Sequence, residues 1–167
     1  NDGEGNIGDV GTFVAQNASK IQGLVKSAGA DAGIAVATGA ADGKVYVKIG
    51  VKAAVAQEYR VTAWLLENDV YNPEQAGRKD GVEYHIYQDH TLRNIAGSYS
   101  DEDLSGDSIG VVSAGSVKEH SFEIAVTDSR WKVENMDVLV IVSADCGGYF
   151  EVVNTALCPI NSTTAFE

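Results

Sequence analysis

From residue 31 onward, apolar and polar side chains alternate in short runs. The clearest run spans Lys44 to Ala54. Val45, Val47, Ile49, Val51 and Ala53 fall on one side, and Lys44, Tyr46, Lys48, Gly50 and Lys52 on the other. A period of two with one apolar face predicts a strand half-buried on a core. Ala32 to Thr38 sets Ile34, Val36 and Thr38 against small alanines, and Ala41-Asp42-Gly43 reads as an Asp-Gly hairpin turn between the two runs. Tyr59 to Glu67 is apolar on both faces, with Val61, Ala63 and Leu65 against Trp64 and Leu66, as a central strand requires. Val82 to Gln88 is rich in aromatics. Ile109 to Ser113 and Val117 to Val126 form a further pair, with Phe122, Ile124 and Val126 inward and Glu119, Ser121 and Glu123 outward. Asp137 to Ala144 and Tyr149 to Ala156 form the last hairpin.

The connections read as a polar loop over Asn68 to Gly81, a helical turn over Asp89 to Ala96, and an acidic Ser- and Gly-rich loop over Ser98 to Gly110. Thr127 to Asn135 reads as a turn with a short helix around Trp131, and Cys158 to Glu167 as an irregular tail. About eight strands separated by turn signals predict a mainly β chain, an immunoglobulin-like β-sandwich over residues 31–167. One amphipathic helix precedes it. Residues 1–8 form a loose lead-in and Asp9 is the N-cap. Val10, Phe13, Val14, Ala18, Ile21, Leu24, Val25 and Ala28 then follow a 3.6-residue period over 9–28, with Gly29 as the left-handed cap. That stripe must bury itself on the sandwich or on a domain upstream.

A chain of 167 residues builds one domain with a proper core. Twelve basic against 24 acidic residues give a formal charge of −12, a field that repels nucleic acid and anionic lipid headgroups. No run approaches the ~18 apolar residues of a membrane span. There is no basic start followed by an apolar stretch, and no initiator Met, so Asn1 reads as the edge of a processed fragment. Cys146 sits in a turn and Cys158 beyond the strand that follows it. At about 3.3 Å per residue the two lie roughly 30 Å apart, too far to bridge, which predicts two free thiols.

Three stretches carry a family resemblance: Ala63-Trp64-Leu65-Leu66-Glu67-Asn68 with the later Asp89-His90-Thr91-Leu92-Arg93; Trp131-Lys132-Val133-Glu134-Asn135-Met136 running on to Val142; and Glu151-Val152-Val153-Asn154-Thr155-Ala156-Leu157-Cys158-Pro159-Ile160-Asn161. Together they resemble the C-terminal half of the Omp-twenty-eight-related outer-membrane lipoproteins of Bacteroidetes. The family's His-Asn-His-Val-Leu-Arg-like string reads Gln88-Asp89-His90-Thr91-Leu92-Arg93 here, without the first histidine. The resemblance implies a cell-envelope address, with any anchor and a thioredoxin-like domain lying upstream, and it implies no catalytic residues.

His85, Asp89 and His90 are the best chemical cluster, because imidazole and carboxylate suit zinc. The plainer alternative makes Asp89 a turn cap and His90 a backbone-bonded residue. Asp101, Glu102, Asp103 and Asp107 crowd four carboxylates into seven residues, a candidate calcium loop without the spacing of an EF-hand. Asp107-Ser108-Ile109 fits the Asp-Ser/Thr-apolar tripeptide of O-glycosylation in the bacterial group that the resemblance points to, making Ser108 a candidate modification site. Tyr46, on the polar face of its strand, and Tyr71, in the long loop, are the candidate ligand-binding aromatics. There is no Gly-x-Ser-x-Gly elbow, no Cys-x-x-Cys and no phosphate-cradling Gly-rich loop.

These features support a non-catalytic cell-envelope interaction or stabilising module of a larger protein, with a protein or glycan partner at the cell surface. Two alternatives stand beside it. One is a metal-binding protein or metal-dependent hydrolase on His85, Asp89 and His90; the other is an extracellular glycan-binding domain.

Overall fold

A computed structural model of the protein describes residues 30–75, 77–79, 82–84, 86–99 and 105–166. The expected 9–28 helix lies outside the described residues. Asp31–Glu167 forms one unit of antiparallel strands.

In chain order the strands are β1 (Ala32–Ala41), β2 (Lys44–Ala53), β3 (Gln57–Glu67), β4 (Val70–Tyr71), β5 (Gly77–Lys79), β6 (Val82–Tyr84), β7 (Tyr87–Gln88), β8 (Thr91–Ala96), β9 (Asp107–Val112), β10 (Val117–Ala125), β11 (Met136–Asp145), β12 (Phe150–Pro159) and β13 (Thr163–Thr164). One sheet runs β10-β2-β1-β13. The second runs β12-β11-β3-β8, with β9 also paired to β3. The pairs β4–β7 and β5–β6 make two small ribbons.

The alternation read from the sequence sets the core. Val45, Val47, Ile49 and Val51 of β2 meet Val61, Ala63 and Leu65 of β3 and Val138, Val140 and Val142 of β11 in one buried cluster. Asp42 and Gly43 join β1 to β2 with φ of 51° and 72°, the left-handed pair that a two-residue primed turn demands. β3 is central, and its outward face is apolar because its neighbours match it. Leu157, Leu139, Trp64 and Ile95 stand in register across four strands.

β8 and β9 share one edge of β3. β8 pairs with Ala63 to Glu67 and β9 with Gln57 to Val61, so two segments of the chain share a single strand position. The chain leaves at Gly97 and returns at Gly106. A Cβ on Gly106, whose φ is +87°, would lie 2.1 Å from the Val61 carbonyl oxygen; one on Gly97 would lie 3.2 Å from the same oxygen. Ser98 closes the base by donating both its backbone N–H (2.7 Å) and its hydroxyl (2.8 Å) to Asp107 Oδ1.

Four sequence expectations need correction. Among the described residues there are thirteen strand segments where the sequence predicts about eight; apart from β8, the additional ones are two or three residues long and carry no readable alternation. Asp89 to Ala96 is not a helical turn. Only Asp89 and His90 turn, His90 with φ of 53°, and Thr91 onward adds to β3. Val82 to Gln88 is not one strand but β6 and β7 in different ribbons. The tail is ordered to Thr164, because the edge of β1 needs acceptors. Val36 N–H donates to Thr164 Oγ1 (3.2 Å), Thr38 N–H to the Ser162 carbonyl (3.0 Å) and Ala40 N–H to Asn161 Oδ1 (3.1 Å). No disulfide joins Cys146, which is exposed, to Cys158, which is buried. Burial pushes the Cys158 thiol up from its ordinary value.

The clasp at Gly106 is testable. Gly106→Ala should cost about 3 kcal/mol or more, since both the positive φ and the Val61 carbonyl oppose a side chain. Gly110→Ala, whose φ is +74° with no atom within 4 Å of the new Cβ, should cost only about 1 kcal/mol. Urea unfolding of the two variants gives the comparison.

Candidate functional site

At one end of the sandwich, β3 finishes with a charge where a core residue belongs. The same alternation that buries Tyr59, Val61, Ala63 and Leu65 carries Glu67 inward, to 3% exposure. A carboxylate taken out of water needs donors. Arg93 Nε of β8 donates to Oε2 at 2.7 Å, and the Lys132 backbone N–H donates to Oε1 at 2.9 Å. The Arg93 guanidinium carbon also lies 5.6 Å from the centre of the Trp131 ring. Arg93 is thus fixed by an ion pair and a cation–π contact. Its terminal Nη nitrogens have no hydrogen-bond partner among the described residues.

Beside this pair two turns hold each other. Asp69 N–H donates to Asp89 Oδ1 (3.1 Å), and His90 N–H donates to Asn68 Oδ1 (2.9 Å). Asn68 Nδ2 donates in turn to Asp137 Oδ2 (2.7 Å), and its backbone N–H to the Asn135 carbonyl (2.9 Å). Asp69 and His90 both take the left-handed conformation to make this clasp, with φ of 54° and 53°.

These elements wall an open cleft of about 350 Å³ lined by Glu67, Asp69, Val70, Tyr71, Arg93, Asp128, Arg130, Trp131 and Lys132. Tyr71 and Tyr87 stand at the rim with ring centres 5.7 Å apart, each 63% exposed. Arg130 donates from Nη2 (2.6 Å) and Nε (3.1 Å) to Asp128 Oδ2, and these hydrogen bonds hold the Asp128 carboxyl down at about 2. The Asp69 carboxylate has no partner among the described residues.

A second cluster lies at the loop base. Asp107 takes the Ser98 hydroxyl on Oδ1, and its Oδ2 lies 3.3 Å from His120 Nε2. His120 stacks edge-on against Phe122 at 4.6 Å. The carboxylate stands between hydroxyl and imidazole. In a nucleophilic triad the imidazole stands in the middle, so this order positions a loop and does not activate Ser98.

The residues singled out from sequence go to separate places. His85, Asp101, Glu102 and Asp103 lie outside the described residues. Asp89 serves the turn clasp, while His90 uses its backbone N–H there and is exposed. Among the described residues, no three of His, Cys, Asp and Glu gather as metal ligands. Asp107 begins β9 and is committed to Ser98 and His120. Ser108, exposed on β9, donates its hydroxyl to Glu58 Oε1 at 2.8 Å. Tyr71 lines the cleft. Tyr46 lines a different hollow, with Gly39, Lys48, Phe122 and Glu123. Sequence reasoning missed Glu67, Arg93 and Trp131 as a unit, although Glu67 left a signal: a charge at an inward register position of a strand.

The profile of the family described as "Outer membrane protein Omp28" matches residues 9–161. Comparison with curated proteins gives no match. Solved structures share the fold, two of them as follows. HBP35 of Porphyromonas gingivalis superimposes with a TM-score of 0.62 at 17% identity, over 88% of this chain and 46% of that one. A domain of the outer membrane lipoprotein Omp28 from Porphyromonas gingivalis gives a TM-score of 0.51 at 21% identity, over 79% of this chain and 97% of that one. The chain therefore spans about half the length of the HBP35 structure. The first two stretches behind the family resemblance, distant in sequence, converge on the cleft through Glu67, Asn68, Asp89, Arg93, Trp131 and Lys132.

Glu67→Ala should destabilise the domain by about 3 kcal/mol, since Arg93 is left without its carboxylate. Arg130→Ala, which breaks an exposed pair, should leave the unfolding midpoint close to that of the parent. Chemical denaturation separates the two cases. Asp107 gives a pH test. The Ser98 hydroxyl bond, aided by His120, holds its carboxyl below the ordinary value. Stability from a depressed carboxyl is present above its unfolded pKa and is lost as pH falls through the folded one. Asp107→Asn should therefore lower the melting temperature at pH 7, and the gap to the parent should close as pH drops below about 4.

Proposed function

The chain belongs to the Omp28 family of outer membrane proteins, and from that premise we propose that it is a non-catalytic interaction module of a larger envelope protein, engaging its partner at the Glu67–Arg93–Trp131 end. The observation that carries this reading is the open cleft itself. A rigid sandwich, a buried ion pair and two interlocked turns fix its floor, while its rim presents exposed tyrosines. Contacts on a rigid scaffold are the usual use of such loop ends. The 46% coverage of HBP35 supports a place within a longer chain. Anchoring by a lipid and a thioredoxin-like neighbour upstream belong to the same proposal.

The test is a titration of the isotope-labelled chain with polysaccharide and protein fractions of a bacterial envelope, followed through the Trp131 indole and Arg93 side-chain signals. Saturable shifts there, with the fraction recovered chemically unchanged, are expected. Shifts confined to the Ser98–Asp107–His120 cluster, or conversion of the fraction, would overturn the reading.

A further inference from the structure

We propose that the cleft binds acidic polysaccharide, gripping a uronic acid residue by its carboxylate. The proposal rests on the interaction-module reading and names the ligand class. It follows from which polar groups in the cleft are already satisfied. Glu67 and Asp128 have spent their carboxylates on Arg93 and Arg130. Two cations of the cleft remain among the described residues: the exposed Lys132 ammonium, and the terminal edge of the Arg93 guanidinium, which alone is held in place, from behind by Glu67 and from one face by Trp131. A fixed guanidinium fork with both Nη groups unspent among the described residues fits one planar carboxylate in a bidentate grip. Because Glu67 and Trp131 order the fork before any ligand arrives, little freedom is lost on binding.

A lone carboxylate would not use the rest of the wall. The Asp69 carboxylate has no partner among the described residues and accepts only from donors, which the hydroxyls of a sugar ring supply in number, while an acidic peptide offers only its backbone N–H groups. Tyr71, 63% exposed and tilted against Tyr87, offers an apolar ring face at the rim. A pyranose acid combines all three requirements: a carboxylate for Arg93, hydroxyl donors for Asp69 and an apolar ring face for Tyr71. The chain's formal charge of −12 repels a polyanion at long range, so the grip has to be local and the association slow.

Calorimetric titration with a galacturonic acid oligomer, with its methyl ester and with oligoglutamate tests the idea. The acid oligomer should bind saturably. The methyl ester, which keeps the rings and hydroxyls but not the charge, and oligoglutamate, which keeps the charge but not the rings, should each bind about tenfold more weakly or worse. Arg93→Lys keeps a cation for Glu67 but loses the fork, and should cost about tenfold in affinity with the melting temperature near that of the parent. Tyr71→Ala and Asp69→Asn alter exposed side chains, fold regardless of the Glu67 pair, and should each weaken the acid oligomer. Equal binding of oligoglutamate would overturn the proposal in favour of an acidic peptide. Equal binding of the methyl ester, no binding of any oligomer, or affinity indifferent to Tyr71 and Asp69 would overturn it outright. If the oligomers are silent while envelope fractions still move the Trp131 signal, the uronate assignment fails and the interaction module stands.

Discussion

The carboxylate of Glu67 is the constraint around which one whole end of the molecule is arranged. Strand alternation, which elsewhere simply buries valines, carries this residue inward, where ionised oxygens are costly unless answered. The answer comes from two distant parts of the chain, Arg93 of β8 and the backbone of Lys132. That ties the central strand to the edge strand and to the Trp131 turn. A buried ion pair is a poor source of net stability when set against a well-packed apolar pair. What it supplies is geometry: a guanidinium with one defined orientation at the mouth of a cleft.

The interlocked turns extend the same logic. Asn68 and Asp89 each accept a backbone N–H from the other's turn, so neither loop settles without its partner. Asn68 also reaches Asp137, at the start of β11. The end of the sandwich is therefore closed by side chain to backbone bonds where the sheet's own ladder runs out, and the exposed tyrosines stand on a base with little freedom.

Strong alternation made most of the sandwich legible from sequence. β2, β10 and β11 are readable because buried apolar residues recur at every second position over several residues, and Asp42-Gly43 announces its own turn. The unreadable parts owe their shape to partners far along the chain. In Asn161-Ser162-Thr163-Thr164 only the two threonines favour a strand, too short a run to read. It pairs because Val36, Thr38 and Ala40 present unsatisfied N–H groups on an edge. Thr91 to Ala96 is a strand because β3 offers it a ladder, and the Asp89-His90 pair that mimics a helix start is spent on the facing turn. The site hid for the same reason. Tyr71 was visible as an exposed aromatic, but Arg93 and Trp131 look ordinary until the fold sets them against Glu67, more than twenty residues from either.

The interrupted edge of β3 separates two kinds of sequence history. Gly97 and Gly106 lie against the same carbonyl, and Ser98 and Asp107 bond across the gap, so the sheet is complete before the excursion begins. Closing a longer loop at a fixed base adds little entropic cost. Pairing with β3 on both sides of the gap is thus set by the two glycines, by Ser98 with Asp107 and by Ser105, which accepts from Arg60, and not by the length of chain that joins them. An insertion between Tyr99 and Ser105 should therefore cost the strands on either side little.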